Sequence, residues 1–232
     1  VLGIVMVVDP FGTMETLVMA IGLILILEGA LNLLSALYTM LAVRRFIKLH
    51  PETQSMLEAI TGQDLNGDGV LQYVMVVGDP ENVDAKYRTE FSISQYQEVS
   101  GLKVEKLDEQ RGDWDQAKGQ EIVANALTQY GDKIEAVFCN NDAMALGALQ
   151  SLQQAGRTVG KDVYLVGVDA LSEAVQNVVD GNMTGTVLND DVGQATAAAA
   201  ATKLYVEGSK VEQYYWVDYV KVTKENAAQY IK

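Results

Sequence analysis

From Leu71 onward short apolar runs alternate with longer amphipathic stretches, and no other feature limits the fold of this chain so strongly. The runs "LQYVMVVG" (71–78), "LKVEKLDEQ" (102–110), "IEAVFCN" (134–140), "DVYLVGVD" (162–169) and "MTGTVLND" (183–190) read as strands. Between and after them "VDAKYRTEFSISQYQEVS", "DWDQAKGQEIVANALTQY", "DAMALGALQSLQQAG", "LSEAVQNVVDG" and "DVGQATAAAAATKLYVEG" read as helices, and three of these end on glycine. "YYWVDYVKV" (214–222) closes with extended structure. Apolar strands that alternate with helices form a parallel sheet flanked by helices, an α/β fold.

Open sheets of this kind bind ligands outside the carboxyl ends of their strands. Those ends carry Gly78-Asp79-Pro80, Asn140-Asn141-Asp142, Asp169 and Asn189-Asp190, with Trp114 at a helix start. Carboxylates and amides bond hydroxyl groups, and an indole face covers C–H surface, so a polyhydroxylated ligand suits this edge. The same residue types are ordinary helix N-caps, and that role alone accounts for Asp142 and Asp190.

The stretch "DLNGDGVLQYVM" (64–75) opens like a calcium loop. Oxygen side chains alternate at Asp64, Asn66 and Asp68, Gly69 allows the sharp turn, and Val70 and Gln72 offer a carbonyl and an amide oxygen. An EF-hand loop then needs a bidentate glutamate at its twelfth position, where this chain has Met75 inside a strand. An Asx-rich turn without metal has the same composition.

The first fifty residues differ in kind. From Thr16 to Val43 the only charge is Glu28. A helix of that length spans about 42 Å, more than the roughly 30 Å hydrocarbon core. Glu28, Asn32, Ser35 and Thr39 share one face, while Gly22, Gly29 and Ala36 form a strip of small residues beside them, a pattern suited to packing among membrane helices. A transmembrane helical segment within 1–50, lodged in membrane through residues 14–43, is therefore expected, followed by a junction at 51–61 and a binding lobe over 62–232. A buried helix of a soluble protein is the alternative. The opening on Val1 reads as that of a fragment or a processed chain.

The net charge of −14 falls entirely after residue 50, because Asp9, Glu15 and Glu28 balance Arg44, Arg45 and Lys48. So acidic a body argues against nucleic-acid binding. The single Cys139 forms no intrachain disulfide, and the single His50 builds no histidine metal site. No nucleophile–base pair or phosphate loop appears, which argues against catalysis.

The motifs "DLNGDGVLQ", "GDPENVDAKYR", "DWDQAK", "KIEAVFCNNDAMALGA", "GVDALSEA" and "GTVLNDDVGQA" resemble the bacterial galactose/glucose-binding receptors, members of the type I periplasmic solute-receptor family. The resemblance runs from about Gly62 to the C-terminus and implies one lobe of that two-lobed fold. It implies a calcium site in which a distant strand supplies the last carboxylate, here Glu135, beside Asp64, Asn66, Asp68, the Val70 carbonyl and Gln72. It implies sugar contacts from Asp84 and Arg88 to ring and hydroxyl oxygens, a stacking face from Trp114, and polar contacts from Asn141, Asp169 and Asn189. Asn82 stands where the family has a histidine, which bears on the choice among D-galactose, D-glucose and related sugars. The implied partners are a monosaccharide and an ABC-transporter permease or a chemoreceptor, on the periplasmic side of a membrane.

Nothing in residues 1–61 resembles the family's other lobe. The family chain crosses to that lobe after the position of Asn189, so the apolar face of "ATAAAAATKLYV" is expected to lack its partner. Residues 1–50 are instead similar to the last helices of small membrane proteins related to the bacterial acid-resistance membrane protein. Arg44, Arg45 and Lys48 directly after the span place the chain from residue 44 onward in the cytoplasm, opposite to where a solute receptor works. The two halves together read as an incomplete or chimeric sugar-binding lobe, with a membrane-protein fragment bearing a vestigial tail as the alternative. A sugar-responsive repressor needs a helix-turn-helix that is not seen, and an enzyme using Asp84 or Asp169 would turn a hexose over rather than only bind it.

Overall fold

A computed structural model describes residues 64–231. The expected hydrophobic segment 1–50, its span over 14–43 and the junction 51–61 lie outside the described residues. Among the described residues no helix is long and apolar enough to cross a membrane.

The strands are β1 (Val70–Val77), β2 (Lys103–Arg111), β3 (Ala136–Cys139), β4 (Tyr164–Val166), β5 (Gly185–Leu188) and β6 (Val220–Thr223). The helices are α1 (Val83–Ser100), α2 (Gln116–Tyr130), α3 (Asp142–Gln154), α4 (Ser172–Asp180) and α5 (Asp191–Val206). One sheet orders the strands β2-β1-β3-β4-β5-β6. β1 is central to the first half of the sheet and is buried from Leu71 to Val77, as a continuous apolar run requires. β2 beside it is an edge strand, and its alternating charges protect that edge.

The expectation of a wholly parallel sheet is corrected at its far edge. β1 to β5 pair in parallel, but β6 runs antiparallel to β5, with Val220 opposite Leu188 and Thr223 opposite Gly185. A parallel crossover needs its helix packed back on the sheet. α5 buries no residue. The chain instead re-enters at the carboxyl end of β5 and runs back along it.

Two apolar clusters sandwich the sheet. Val74, Val76, Val137, Cys139 and Leu165 meet α2, α3 and α4 on one face. Leu71, Tyr73, Met75 and Phe138 join Ala85 and Tyr96 of α1 on the other. α2 and α3 cross closely because glycine stands at both crossing points. A Cβ on Gly147 would come within 1.9 Å of the Gln116 carbonyl oxygen, and one on Gly119 within 2.4 Å of the Met144 oxygen. The strand order reverses between β1 and β3, so the topological crevice opens where β1 ends at Val77 and β3 ends at Cys139.

Candidate functional site

The crevice is built from the residues that come directly after β1, β3, β4 and β5. After β1 comes Gly78, whose N–H donates to Asn140 Oδ1 at 3.1 Å. The Trp114 indole lies directly on this glycine, and a Cβ there would sit 2.4 Å from the ring. Trp114 does not begin a helix, as the sequence suggested. α2 starts at Gln116 with Asp115 as its cap, accepting from Lys118 N at 2.9 Å. Asp113 and Trp114 form the preceding turn with φ of 51° and 64°, a left-handed conformation that non-glycine residues rarely adopt. Ion pairs hold that turn: Asp113 takes both Arg111 and Lys118, and Arg111 also reaches Asp79 at 3.3 Å. The two cations hold the Asp113 carboxyl below the usual carboxylate range, Lys118 foremost.

Arg88 occupies the middle of the crevice. It lies on α1, one turn after Asp84. Its Nη1 donates to the Asn140 carbonyl at 2.8 Å and to Asp169 Oδ1 at 3.4 Å. Its guanidinium carbon is 5.8 Å from the Trp114 ring centroid and 6.0 Å from that of Tyr219. Its Nε is buried and has no hydrogen-bond partner among the described residues. Asp169 is half-buried at φ 117°. Burial pushes its carboxyl up, Arg88 and a hydrogen bond from Asn189 pull it down, and the charge of Asp84 adds to the rise.

The structure thus gathers Arg88, Trp114, Asn141, Asp169 and Asn189 of the expected contacts. Asn141 caps α3, accepting from Met144 N at 3.0 Å, and its Nδ2 donates to the Trp114 carbonyl at 3.3 Å. Asn189 Oδ1 accepts from Gln194 Nε2 at 2.6 Å. Asp84 is exposed at the start of α1. Asn82, exposed, caps that helix, its Oδ1 accepting from Asp84 N at 2.7 Å. Asp190 does serve as the cap of α5. Asp142 does not cap α3: Asn141 does that, and the Asp142 carboxylate turns inward to Thr186 and the Leu171 N–H. Sequence reasoning misses Tyr219, because only an antiparallel β6 brings its leading residue to the carboxyl edge. Cys139, behind the crevice, is buried, and burial pushes its thiol up, away from nucleophilic use.

At the opposite end of the sheet the loop 64–69 leads into β1. Asp64 accepts from the Gly67 N–H at 2.5 Å and from that of Gly69, and these bonds outweigh desolvation and hold its carboxyl low. Asn66 Oδ1 accepts from Asp68 N at 2.9 Å, and Asp68 Oδ1 from Val70 N at 2.9 Å. Glu135 comes from the residue before β3, as the resemblance required. It is 1% exposed, its Oε1 accepts from Leu65 N and Asn66 N, and its Oε2 accepts from Gln72 N. No ion pair to it occurs among the described residues. The ring of side chains is closed by Asn66 Nδ2 donating to Gln72 Oε1 at 3.0 Å and Gln72 Nε2 donating to Asp68 Oδ2 at 2.8 Å. Among the described residues no three His, Cys, Asp or Glu side chains are grouped to hold a metal. The donor chemistry, hard oxygens and a buried carboxylate with no cationic side chain beside it among the described residues, nevertheless fits a divalent cation.

A family described as "Periplasmic binding protein domain" matches residues 51–210 and does not extend over residues 1–50. The D-galactose/methyl-galactoside binding periplasmic protein of Haemophilus influenzae is 37% identical over 179 residues, which are 73% of this chain and 53% of that one. The chain spans about half the length of the curated relatives it matches. A Bacillus halodurans ABC transporter solute binding protein with bound myo-inositol superposes with a TM-score of 0.62 at 30% identity, covering 72% of this chain and 55% of that one. An Actinobacillus succinogenes solute binding protein with bound D-allose has the same fold, with a TM-score of 0.66 at 23% identity, covering 78% and 60%.

Proposed function

We propose, from the premise that this chain belongs to the periplasmic binding protein family, that its carboxyl-edge crevice is one face of a monosaccharide site and that the chain is receptor rather than enzyme. The observation that carries this reading is Arg88, held between Asp169 and two aromatic faces, its Nε without a partner among the described residues. A cyclic polyol laid on Trp114 gives Arg88 and Asp169 a donor and an acceptor for adjacent oxygens, with Asn141, Asn189, Asp84 and Asn82 around the rim. The relatives named above are binding proteins for galactosides, inositol and allose, all cyclic polyols. We place D-galactose and D-glucose first among ligands and an ABC-type permease as partner, with the site on the periplasmic side.

A ligand met from one side keeps its hydrogen bonds in contact with water, each worth about 0.5–1.5 kcal/mol net. For this chain alone the expected affinity is therefore about millimolar, roughly half the free energy of a micromolar complex. Titration with galactose, glucose and myo-inositol, read from Trp114 fluorescence in a Trp216→Phe background, tests it. Saturation abolished by Arg88→Ala, which leaves the Trp114 fluorophore in place, is expected. A signal unchanged by every sugar to about 100 mM, some hundred times the expected constant, sinks the reading.

The loop 64–72 with Glu135 is proposed as a structural calcium site of this lobe. Support comes from its oxygen donors and from a carboxylate buried beside them with no cationic side chain among the described residues. Calcium at 100 times its Kd should stabilise the chain by about 2.7 kcal/mol. Glu135→Gln should erase most of that gain, and melting curves identical with and without calcium would remove the metal from the reading.

A further inference from the structure

We propose that Asp142 is a positioning residue for the ligand edge: its buried carboxylate holds the Gly167–Leu171 turn in the shape that aims Asp169 at Arg88. The inference takes its ligand from the sugar-binding reading above, but its geometry stands independently of that reading.

Asp142 is fully buried at the first turn of α3. Its Oδ1 accepts from Thr186 Oγ1 at 2.7 Å, and its Oδ2 accepts from the Leu171 N–H at 2.8 Å. Its own N–H donates to the Val168 carbonyl at 2.7 Å. One residue therefore grips the turn on both sides of Asp169. Thr186 joins in from β5, its Oγ1 accepting from Ala170 N at 3.4 Å, while Asp169 N donates to the Val187 carbonyl at 2.7 Å.

The turn needs this grip because its backbone is unfavourable by itself. Asp169 and Ala170 sit at φ 117° and 55°, a region that side-chain-bearing residues rarely adopt. At the head of the turn, Gly167 leaves room for the carboxylate. A Cβ there would come 2.2 Å from Asp142 Oδ1. The hydrogen bonds of Asp142 thus offset backbone strain at the residue that meets Arg88.

A plain cap does not explain this arrangement. Asn141 already caps α3. Asp142 meets no cation among the described residues, and its charged neighbour is Asp169, which pairs with Arg88 and feels the charge of Asp84. Burial pushes its carboxyl up to about 6 against the pull of its hydrogen bonds. Burying this charge costs stability, and what it secures in return is the shape of the turn.

The test uses the full chain, with Asp142→Ala, Asp142→Asn, Asp169→Ala and the Asp142→Ala/Asp169→Ala double variant. Galactose affinity and amide hydrogen exchange across 167–171 are the readouts. Asp142→Ala should weaken galactose binding roughly 10- to 100-fold, as when a buried donor loses its acceptor. Asn accepts from Leu171 N and donates to Thr186 Oγ1, so Asp142→Asn should restore binding to within about 3-fold. Once Asp169 is alanine, losing Asp142 should cost nothing further. An equal loss in both backgrounds would reduce Asp142 to a structural residue and overturn the proposal. Exchange at Leu171 should speed at least about 10-fold in Asp142→Ala while β1 and α3 stay protected. That arm needs no ligand, so failure of the sugar reading leaves it decisive, and unchanged exchange overturns the proposal. If Asp142→Ala does not fold, Thr186→Val removes one of the two anchors and takes its place in both measurements.

Discussion

α3 and α5 leave the carboxyl edge through nearly the same sequence and end in opposite surroundings. Asn140-Asn141-Asp142 leads into α3, and Asn189-Asp190-Asp191 leads into α5. Both caps form: Asn141 accepts from Met144 N at 3.0 Å and Asp190 from Gly193 N at 2.9 Å. Both helices are rich in alanine. α3 nevertheless buries Met144, Leu146, Leu149 and Leu152, and even Asp142 and Ser151, while α5 buries nothing. Local sequence decides that a helix starts and where. Burial depends on what the neighbouring elements present to it.

Glycine shows the difference. Gly147 lets the α3 backbone meet α2, and a Cβ there would strike the Gln116 carbonyl. Gly193 of α5 faces its own cap, Asp190 Oδ2, and the side chain of Val217. α5 keeps only a half-buried stripe of Gly193, Ala197 and Ala201. Tyr205 and Val206 at its end are 74% and 78% exposed, and beyond it Trp216 is 77% exposed and stacks on Tyr214.

The largest effect should come from breaking the buried member of the pair. Gly147→Ala forces α2 and α3 apart against backbone and should cost about 3 kcal/mol, at the upper end for overpacking. Gly193→Ala meets side chains rather than backbone, the Asp190 carboxylate and Val217, and should cost about 1 kcal/mol, the worth of a cap. Urea denaturation of both variants checks this. Equal losses would mean that α5 is packed as tightly as α3.

The pH dependence at the two helix starts comes next. The Asp142 carboxyl is raised to about 6 from an ordinary value of 3.8, chiefly by burial. The folded state therefore holds that proton more tightly than the unfolded state does. As pH falls from about 6 toward 3.8 the wild type should gain stability over Asp142→Asn, by roughly 1–3 kcal/mol. Asp169 is raised too, so it moves both proteins in the same direction and largely cancels in the difference. Asp191→Asn, at an exposed position, controls for general charge effects. A difference between wild type and Asp142→Asn that stays flat from pH 7 to 4 would contradict the buried carboxylate.

Much of this is legible in the sequence, for reasons that can be located. α1 runs from Val83 to Ser100 as expected, because Asn82 supplies a cap and Gly101, at φ 68°, a left-handed stop. β1 is legible from its unbroken apolar run. Strand direction is not: composition is the same either way, so 214–222 reads only as closing extended structure and Tyr219 is missed. Cap chemistry says that Asn141 or Asp142 caps α3 but not which, and the side chain left over makes the more consequential contacts. Glu135 can be joined to loop 64–72 only through the family resemblance, since no local rule links residues so far apart.

The smallest expected effect is the sharpest test of the contrast. Leu204, Tyr205 and Val206 end α5 with 37%, 74% and 78% of their surface exposed. A side chain that is already in water loses little hydration energy when it is made polar, so each serine substitution should stay within about 0.5 kcal/mol. Leucine favours helix over serine by only a few tenths of a kcal/mol, and near a fraying end even that is diminished. The triple Leu204→Ser/Tyr205→Ser/Val206→Ser variant should therefore lose at most about 1.5 kcal/mol and melt within about 3–6 °C of the parent, at the scale expected for a chain of this size. Its solubility should rise, because the exposed apolar surface at the end of α5 shrinks. Leu152→Ser in α3, fully buried, supplies the scale at the other extreme. If the α5 triple approached that loss, these side chains would be covered in solution, and the resemblance between the two helices would extend from their caps to their packing.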